Sequence, residues 1–263
     1  MQQCCQAGQS NSKCGCSLIG KAPACQVGES GIVTRHSRHI RDTMRNRVEI
    51  LDLPWSGVDS IVPKVKQWGD ILYNEERHIG ETFDGDFYVD SEMNLLDTPD
   101  DIIVTRWGRE FETSFHCITG YGLYELMPWW RTMQQFFINQ LKLTPWLPYP
   151  CLLLSKSNLR RHIDVGRPTA FNYPIFGEDI TTNHVWYDKD ADDSSYNETY
   201  KYELRQTVVI DTTVDHGGFV NPSHHEDELR AICNMGFAEP FDSCIDVILQ
   251  AYQSGELVDV LRG

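Results

Sequence analysis

The chain has 263 residues, 41% of them hydrophobic and 23% charged, with a formal net charge of −15 at pH 7. That length permits a substantial core in one large domain or two small ones, and so negative a field repels phosphate backbones, so no nucleic-acid partner is expected. No stretch approaches the roughly 18 consecutive apolar residues of a membrane span, and MQQCCQAGQS lacks the apolar centre of a secretory leader, so the expected setting is the cytoplasm, away from membranes.

Residues 1–33 are rich in Gly, Ser, Gln and Cys without apolar periodicity and read as an irregular tail. Its Cys4, Cys5, Cys14, Cys16 and Cys25 lack the paired C-x2-C spacing of a zinc motif, so reduced thiols are favoured over a metal or disulfide role. The basic cluster TRHSRHIRDTMRNR (34–47) reads as a solvated stretch or a helix start. From 34 to 263 a single domain is expected.

Its first part, 50–145, is read as a largely helical buttress. Ile61, Val65, Trp68 and Leu72 fall at helical spacing over 56–74, with Ser56 or Asp59 available as a cap. Residues 102–126 mix β-formers and aromatics and predict strands with turns at Gly108 and at Gly120-Tyr121-Gly122. A second helix is predicted over 127–143, with Pro128 at its first position and Trp130, Met133, Phe137 and Leu141 as a core stripe. Beyond Pro150, short apolar segments (CLLLSKS, RHIDV, AFNYPIF, NHVWYD, YELRQTVVID, GGFVN, LRAICNMGF) alternate with polar turns, the pattern of an antiparallel sandwich or barrel. The acidic stretch 188–200 reads as a solvated loop or an active-site cover, and 241–257 as one C-terminal helix.

Chemistry concentrates in RHIDV. If this segment is a strand, His162 and Asp164 share a face while Ile163 packs behind. One more His would complete the 2-His-1-carboxylate facial triad that suits Fe(II) and leaves positions open for co-substrate and oxygen. Candidates are His184, His216, His224 and His225. His216, 52 residues after Asp164, follows an apolar strand and precedes the flexible Gly217-Gly218, which suits a distal ligand. His184 and Trp186 could line the pocket mouth or equally take ordinary sheet positions, and His224-His225 read as an exposed loop. Arg230, sharing a strand face with Ile232 and Asn234, needs an anionic partner. That partner is either a dicarboxylate co-substrate or a protein carboxylate such as Glu228 or Asp227.

Taken in order, HID, RPTAFNYP, DHGGFVN and an Arg in the last apolar strand resemble the H-x-D…H…R pattern of Fe(II)/2-oxoglutarate-dependent oxygenases, most closely the aspartyl/asparaginyl β-hydroxylase-like subgroup. The resemblance covers about 150–237. Some members of that subgroup lack the metal carboxylate, whereas Asp164 is present here. The resemblance implies a mainly β fold with flanking helices, a double-stranded β-helix (jelly-roll, cupin-like) with its core at about 102–237. It implies iron ligation by His162, Asp164 and His216, a salt bridge from Arg230 to the distal carboxylate of 2-oxoglutarate, and O2 as oxidant. Either Asn172 or Tyr173 would also bond the co-substrate, since alternation does not say which faces inward. The expected reaction is hydroxylation of a C–H bond in a small-molecule or peptidyl substrate, because a carboxylate ligand occupies the position that halogenation needs open. A cupin-like barrel that binds a metal or small ligand without oxygenase turnover is the alternative.

Overall fold

Strands dominate from residue 151 onward because that region is written in short runs of β-branched and aromatic residues separated by polar turns. The computed structural model describes residues 45–74, 82–83, 87–89, 102–107, 115–156, 158–224 and 228–262. The Cys-rich tail, Gly108 and His225 lie outside them. Thr43–Gly263 is one compact unit.

Eight core strands run β6 (Cys151–Ser155), β7 (Leu159–His162), β8 (Thr169–Phe176), β9 (Thr181–Trp186), β10 (Glu198–Lys201), β11 (Gln206–Asp211), β12 (Asp215–Val220) and β13 (Arg230–Phe237). They divide between two antiparallel sheets, β11-β8-β13-β6 in the larger and β10-β9-β12-β7 in the smaller. Apart from the β9–β10 hairpin within the smaller sheet, successive strands cross from one sheet to the other, which makes the core a double-stranded β-helix. The larger sheet is extended by β1 (Val48–Asp52) beside β11, and on its other edge by β5 (Phe115–Gly120), β4 (Ile102–Trp107), β3 (Phe87–Val89) and β2 (Thr82–Phe83).

Period-two alternation assigns the two faces of the larger sheet. Phe171, Tyr173 and Ile175 of β8, Val209 of β11 and Ala231, Cys233, Met235 and Phe237 of β13 face outward into the main apolar cluster. That cluster is closed by α1 (Val58–Asn74), α3 (Pro128–Asn139), α4 (Phe241–Gln253) and α5 (Glu256–Arg262), with the short α2 (Leu123–Leu126) leading into α3. The opposite residues, Ala170, Val208 and Ile210, line the barrel interior with Val185, Tyr200 and Tyr202. Each fully buried large apolar side chain contributes roughly 1.5–3 kcal/mol, so the helical layer clamps the sheet on which half the site is built. Among the described residues no helix is long and apolar enough to cross a membrane.

Several expectations are corrected. The C-terminal helix is two helices, broken where Gly255 adopts φ +85, the left-handed conformation glycine takes past a helix end. The second helix stops at Asn139 rather than 143; Lys142 turns left-handed (φ 58) and Thr144 N–H donates to Glu239. VEILD, which straddles the start of the region read as largely helical, is strand β1, paired to β11 from Val48↔Ile210 to Asp52↔Gln206. The end of the acidic stretch is not loop but β10, because Tyr200 buries its ring in the barrel while Lys201 faces water.

Phe171 shows how tightly the helical layer grips the sheet: its ring is fully buried, stacked on Trp55 at 5.4 Å and edge-on to Phe137 at 5.1 Å. Phe171→Ala should lower unfolding free energy by about 3–5 kcal/mol in a urea titration monitored by circular dichroism.

Candidate metal centre

Pairing of β12 with β7 sets His216 directly opposite His162, and their ring centroids stand 4.3 Å apart. Gly217 allows it: a Cβ there would fall 2.9 Å from Leu159 O and 3.1 Å from Arg161 N, both backbone atoms of β7. The two glycines of this strand therefore serve close approach within β12 rather than flexibility before it. Asp164 does not extend β7, which ends at His162; it sits in the following loop, and its N–H donates to Thr212 O at 2.9 Å. The loop still carries it home. His162 Nε2 is 3.8 Å from Asp164 Oδ1, and His216 Nε2 is 3.8 Å from Oδ2. One ligand atom from each of the three residues falls within a 4.8 Å cluster.

Both imidazoles are presented in one tautomer. His162 Nδ1 lies 2.7 Å from Arg160 O and His216 Nδ1 3.0 Å from Val214 O. A carbonyl accepts only, so each Nδ1 carries the hydrogen and each Nε2 offers its lone pair to the centre. Burial, reinforced by the neighbouring His162 and opposed by Asp164, lowers the His216 pKa to about 4, so this ring is neutral at physiological pH. Burial would raise the Asp164 carboxyl, but the Arg167 guanidinium, His216 and His162 outweigh it and hold the group below the ordinary carboxylate range. Two imidazoles, each with Nε2 turned to the centre, and a carboxylate form a donor set suited to a hard or borderline divalent cation with positions left open.

Arg230 begins β13, and its side chain turns into the barrel, where Nε donates to Ser155 Oγ at 2.5 Å. Burial lowers its pKa to about 10, with the phenols of Tyr202, Tyr73 and Tyr200 acting in opposition, so it keeps its charge at neutral pH. A Cβ on Gly218 would lie 3.9 Å from Arg230 Nη1 and 2.6 Å from Asn183 Oδ1. Gly218 shares the inward face of β12 with His216, two residues away. By strand rise these two backbone positions are about 7 Å apart, so the Arg230 fork approaches the strand one inward position beyond the ligand histidine. Of the two protein carboxylates considered for Arg230, Asp227 lies outside the described residues and Glu228 stands 2.9 Å from His224 Nδ1, with His224 Nε2 3.6 Å from Asp179. His224 thus belongs to a separate group of charged residues.

Asn172 and Tyr173 part company. Asn172 faces the interior, donates to Tyr202 OH at 3.0 Å and accepts from Asn234, its cross-strand partner. Tyr173 faces the helices, its ring stacked on Trp55 at 4.9 Å, away from the interior. His184 and Trp186 occupy the outward face of β9 rather than the pocket mouth. There His184 packs on Tyr196 (4.2 Å) and Phe219 (5.4 Å). Arg161 lies over Trp186 and donates to Asp215, Asp188 O and Ala191 O, fastening the 188–197 loop to the outside of the small sheet.

Sequence reasoning missed Arg167, which donates from Nε and Nη2 to Asp164 Oδ2 and from Nη1 to Asn234 Oδ1. Its place three residues after the H-x-D carboxylate was the available signal. Tyr200, Tyr202 and Ser155 were missed too, because nothing local marks a strand residue as facing a polar interior.

No family model matches the chain, and no curated protein matches it. Solved structures similar to it include the non-haem alpha-ketoglutarate-dependent epimerase SnoN from nogalamycin biosynthesis (12% identity, 73% of this chain and 78% of that one, TM-score 0.41). A Pseudomonas putida prolyl-4-hydroxylase (10%, 73% and 91%, TM-score 0.39) and AviO1 from Streptomyces viridochromogenes Tue57 (11%, 74% and 91%, TM-score 0.39) are others.

His162→Ala and His216→Ala should each abolish stoichiometric Co(II) retention in equilibrium dialysis. His184→Ala, on the outer face, should retain Co(II) like the unaltered protein.

Proposed function

We propose that this protein is an Fe(II)/2-oxoglutarate-dependent dioxygenase that hydroxylates a C–H bond of a small-molecule or peptidyl substrate. The observation that carries the reading is the pairing, inside one barrel, of a two-imidazole, one-carboxylate cluster with the buried guanidinium of Arg230. The donors fit the metal: His162 and His216 present Nε2 lone pairs, and Asp164 is held ionised. The interior fits the co-substrate: a buried Arg fork one inward strand position beyond a ligand histidine can take the far carboxylate of a dicarboxylate in a bidentate contact.

In this reading His162, Asp164 and His216 hold Fe(II), and Arg230 with Ser155 receives the far carboxylate of 2-oxoglutarate. Fe(II) bound there would supply oxygen activation, in which 2-oxoglutarate and O2 yield succinate and CO2 and one oxygen atom enters the substrate as hydroxyl. Arg230 orients the keto acid by a bidentate contact that a lysine could not match. The apolar flank of Ala170, Val185, Val208 and Ile210 excludes water from the interior. With a metal bound, Asp164 would serve as a protein ligand at the position that halide transfer needs open, which favours hydroxylation.

Anaerobic titration of the Fe(II)-loaded protein with 2-oxoglutarate should produce a weak visible charge-transfer band. Arg230→Met should leave Fe(II) binding intact and weaken 2-oxoglutarate about 10- to 150-fold, the worth of a charge-assisted hydrogen bond. Iron binding with no band at any 2-oxoglutarate concentration would instead favour a metal-binding barrel without oxygenase turnover.

A further inference from the structure

Asp164 is the weak point of the cluster. The two histidines stand on paired strands whose ladder fixes them, but Asp164 lies beyond the end of β7 with one backbone bond, to Thr212 O, for support. A carboxylate in a loop can rotate about two side-chain torsions and offer either oxygen or both. Something must choose.

The chosen arrangement is imposed by Arg167. Its Nε (3.2 Å) and Nη2 both donate to the same oxygen, Oδ2, while Oδ1 is turned toward His162. The guanidinium is itself held at two further points, with Nη1 donating to Asn234 Oδ1 and Trp146 lying 5.8 Å from its centre, while the Thr212 hydroxyl donates to the backbone carbonyl of Arg167 and anchors its main chain. Its aliphatic stem crosses β13 at Gly236, where a Cβ would fall 2.2 Å from Arg167 Cδ and 2.5 Å from Cγ. Glycine at 236 is therefore the space the arginine occupies.

Arg167 also sets a direction. Guanidinium donates only, so Asn234 must present its oxygen to it and its amide nitrogen to Asn172 Oδ1. Asn172 must then present its own nitrogen to Tyr202 OH, one of the phenols around Arg230. A single ordered chain of donors thus runs from the metal carboxylate to the surroundings of the co-substrate arginine.

We infer that Arg167 is a positioning residue that holds Asp164 as a single-oxygen metal ligand, with Gly236 providing the passage its side chain needs. The inference rests on the metal reading above and adds to it the group that pre-sets the carboxylate before metal arrives. Outer groups that orient a ligand typically change metal affinity about 10- to 100-fold when removed.

The test is Co(II) titration of the full chain, read by the ligand-field spectrum and by isothermal calorimetry, with no turnover required. Arg167→Met should weaken Co(II) about 10- to 100-fold and alter the spectrum, and Arg167→Lys should recover only part of the loss because it supplies charge without the fork. Gly236→Ala should shift both readouts in the same direction as Arg167→Met, although it touches neither Asp164 nor the metal; it also serves if Arg167→Met fails to fold. In an Asp164→Asn background, Arg167→Met should cost little more, since both changes remove one contact. Co(II) affinity and spectrum unchanged in Arg167→Met and Gly236→Ala, with Asp164→Ala losing the metal, would overturn the inference and leave Arg167 a purely structural bridge. Unchanged Co(II) binding in Asp164→Ala would instead overturn the metal reading itself.

Discussion

The register of β12 against β7 is the constraint on which the site depends. It makes cross-strand partners of His162 and His216, residues 54 apart in sequence, and places both imidazoles on the inward face. Strand side chains alternate, so a slip of one residue would turn one ring out to solvent. Two features guard against that slip. Gly217 lets the backbones close where any side chain would strike β7, and β12 is paired on its other side to β9 over six residues, from Asp215↔Trp186 to Val220↔Thr181.

Around that pairing the barrel separates two kinds of packing. The outward face of the large sheet is apolar and gripped by helices, which makes β8, β11 and β13 rigid. Their inward face carries Asn172, Asn234 and Arg230, with Arg167 reaching in from the loop. Buried polar groups are costly unless bonded, and a satisfied network fixes a unique arrangement. The stability of the helical layer thus supports an interior whose polar groups are set for ligand and anion recognition rather than for cohesion.

Much of this was legible in the sequence for physical reasons. Short β-rich runs after residue 150 announced the strands, and the order of His162, Asp164, His216 and Arg230 announced residues the fold draws into one interior. What was not legible depended on tertiary partners. VEILD becomes a strand because β11 offers it an edge, and ETYK does so because Tyr200 has an interior to fill. His184 was open to either a pocket-mouth or an ordinary sheet position until alternation along β9 put it outside. Asn172 and Tyr173 could not be told apart until the helices showed which face Tyr173 covers. Arg167 was hidden because its meaning lies in where its side chain runs, across Gly236, and a sequence shows no such crossing.

The most direct measurement is anomalous diffraction from crystals soaked anaerobically with Fe(II) and 2-oxoglutarate. The account predicts a single strong iron peak bounded by His162 Nε2, Asp164 and His216 Nε2, with the keto acid chelating it and its far carboxylate on Arg230. Iron bound elsewhere, or a keto acid whose far carboxylate lies away from Arg230, would contradict it.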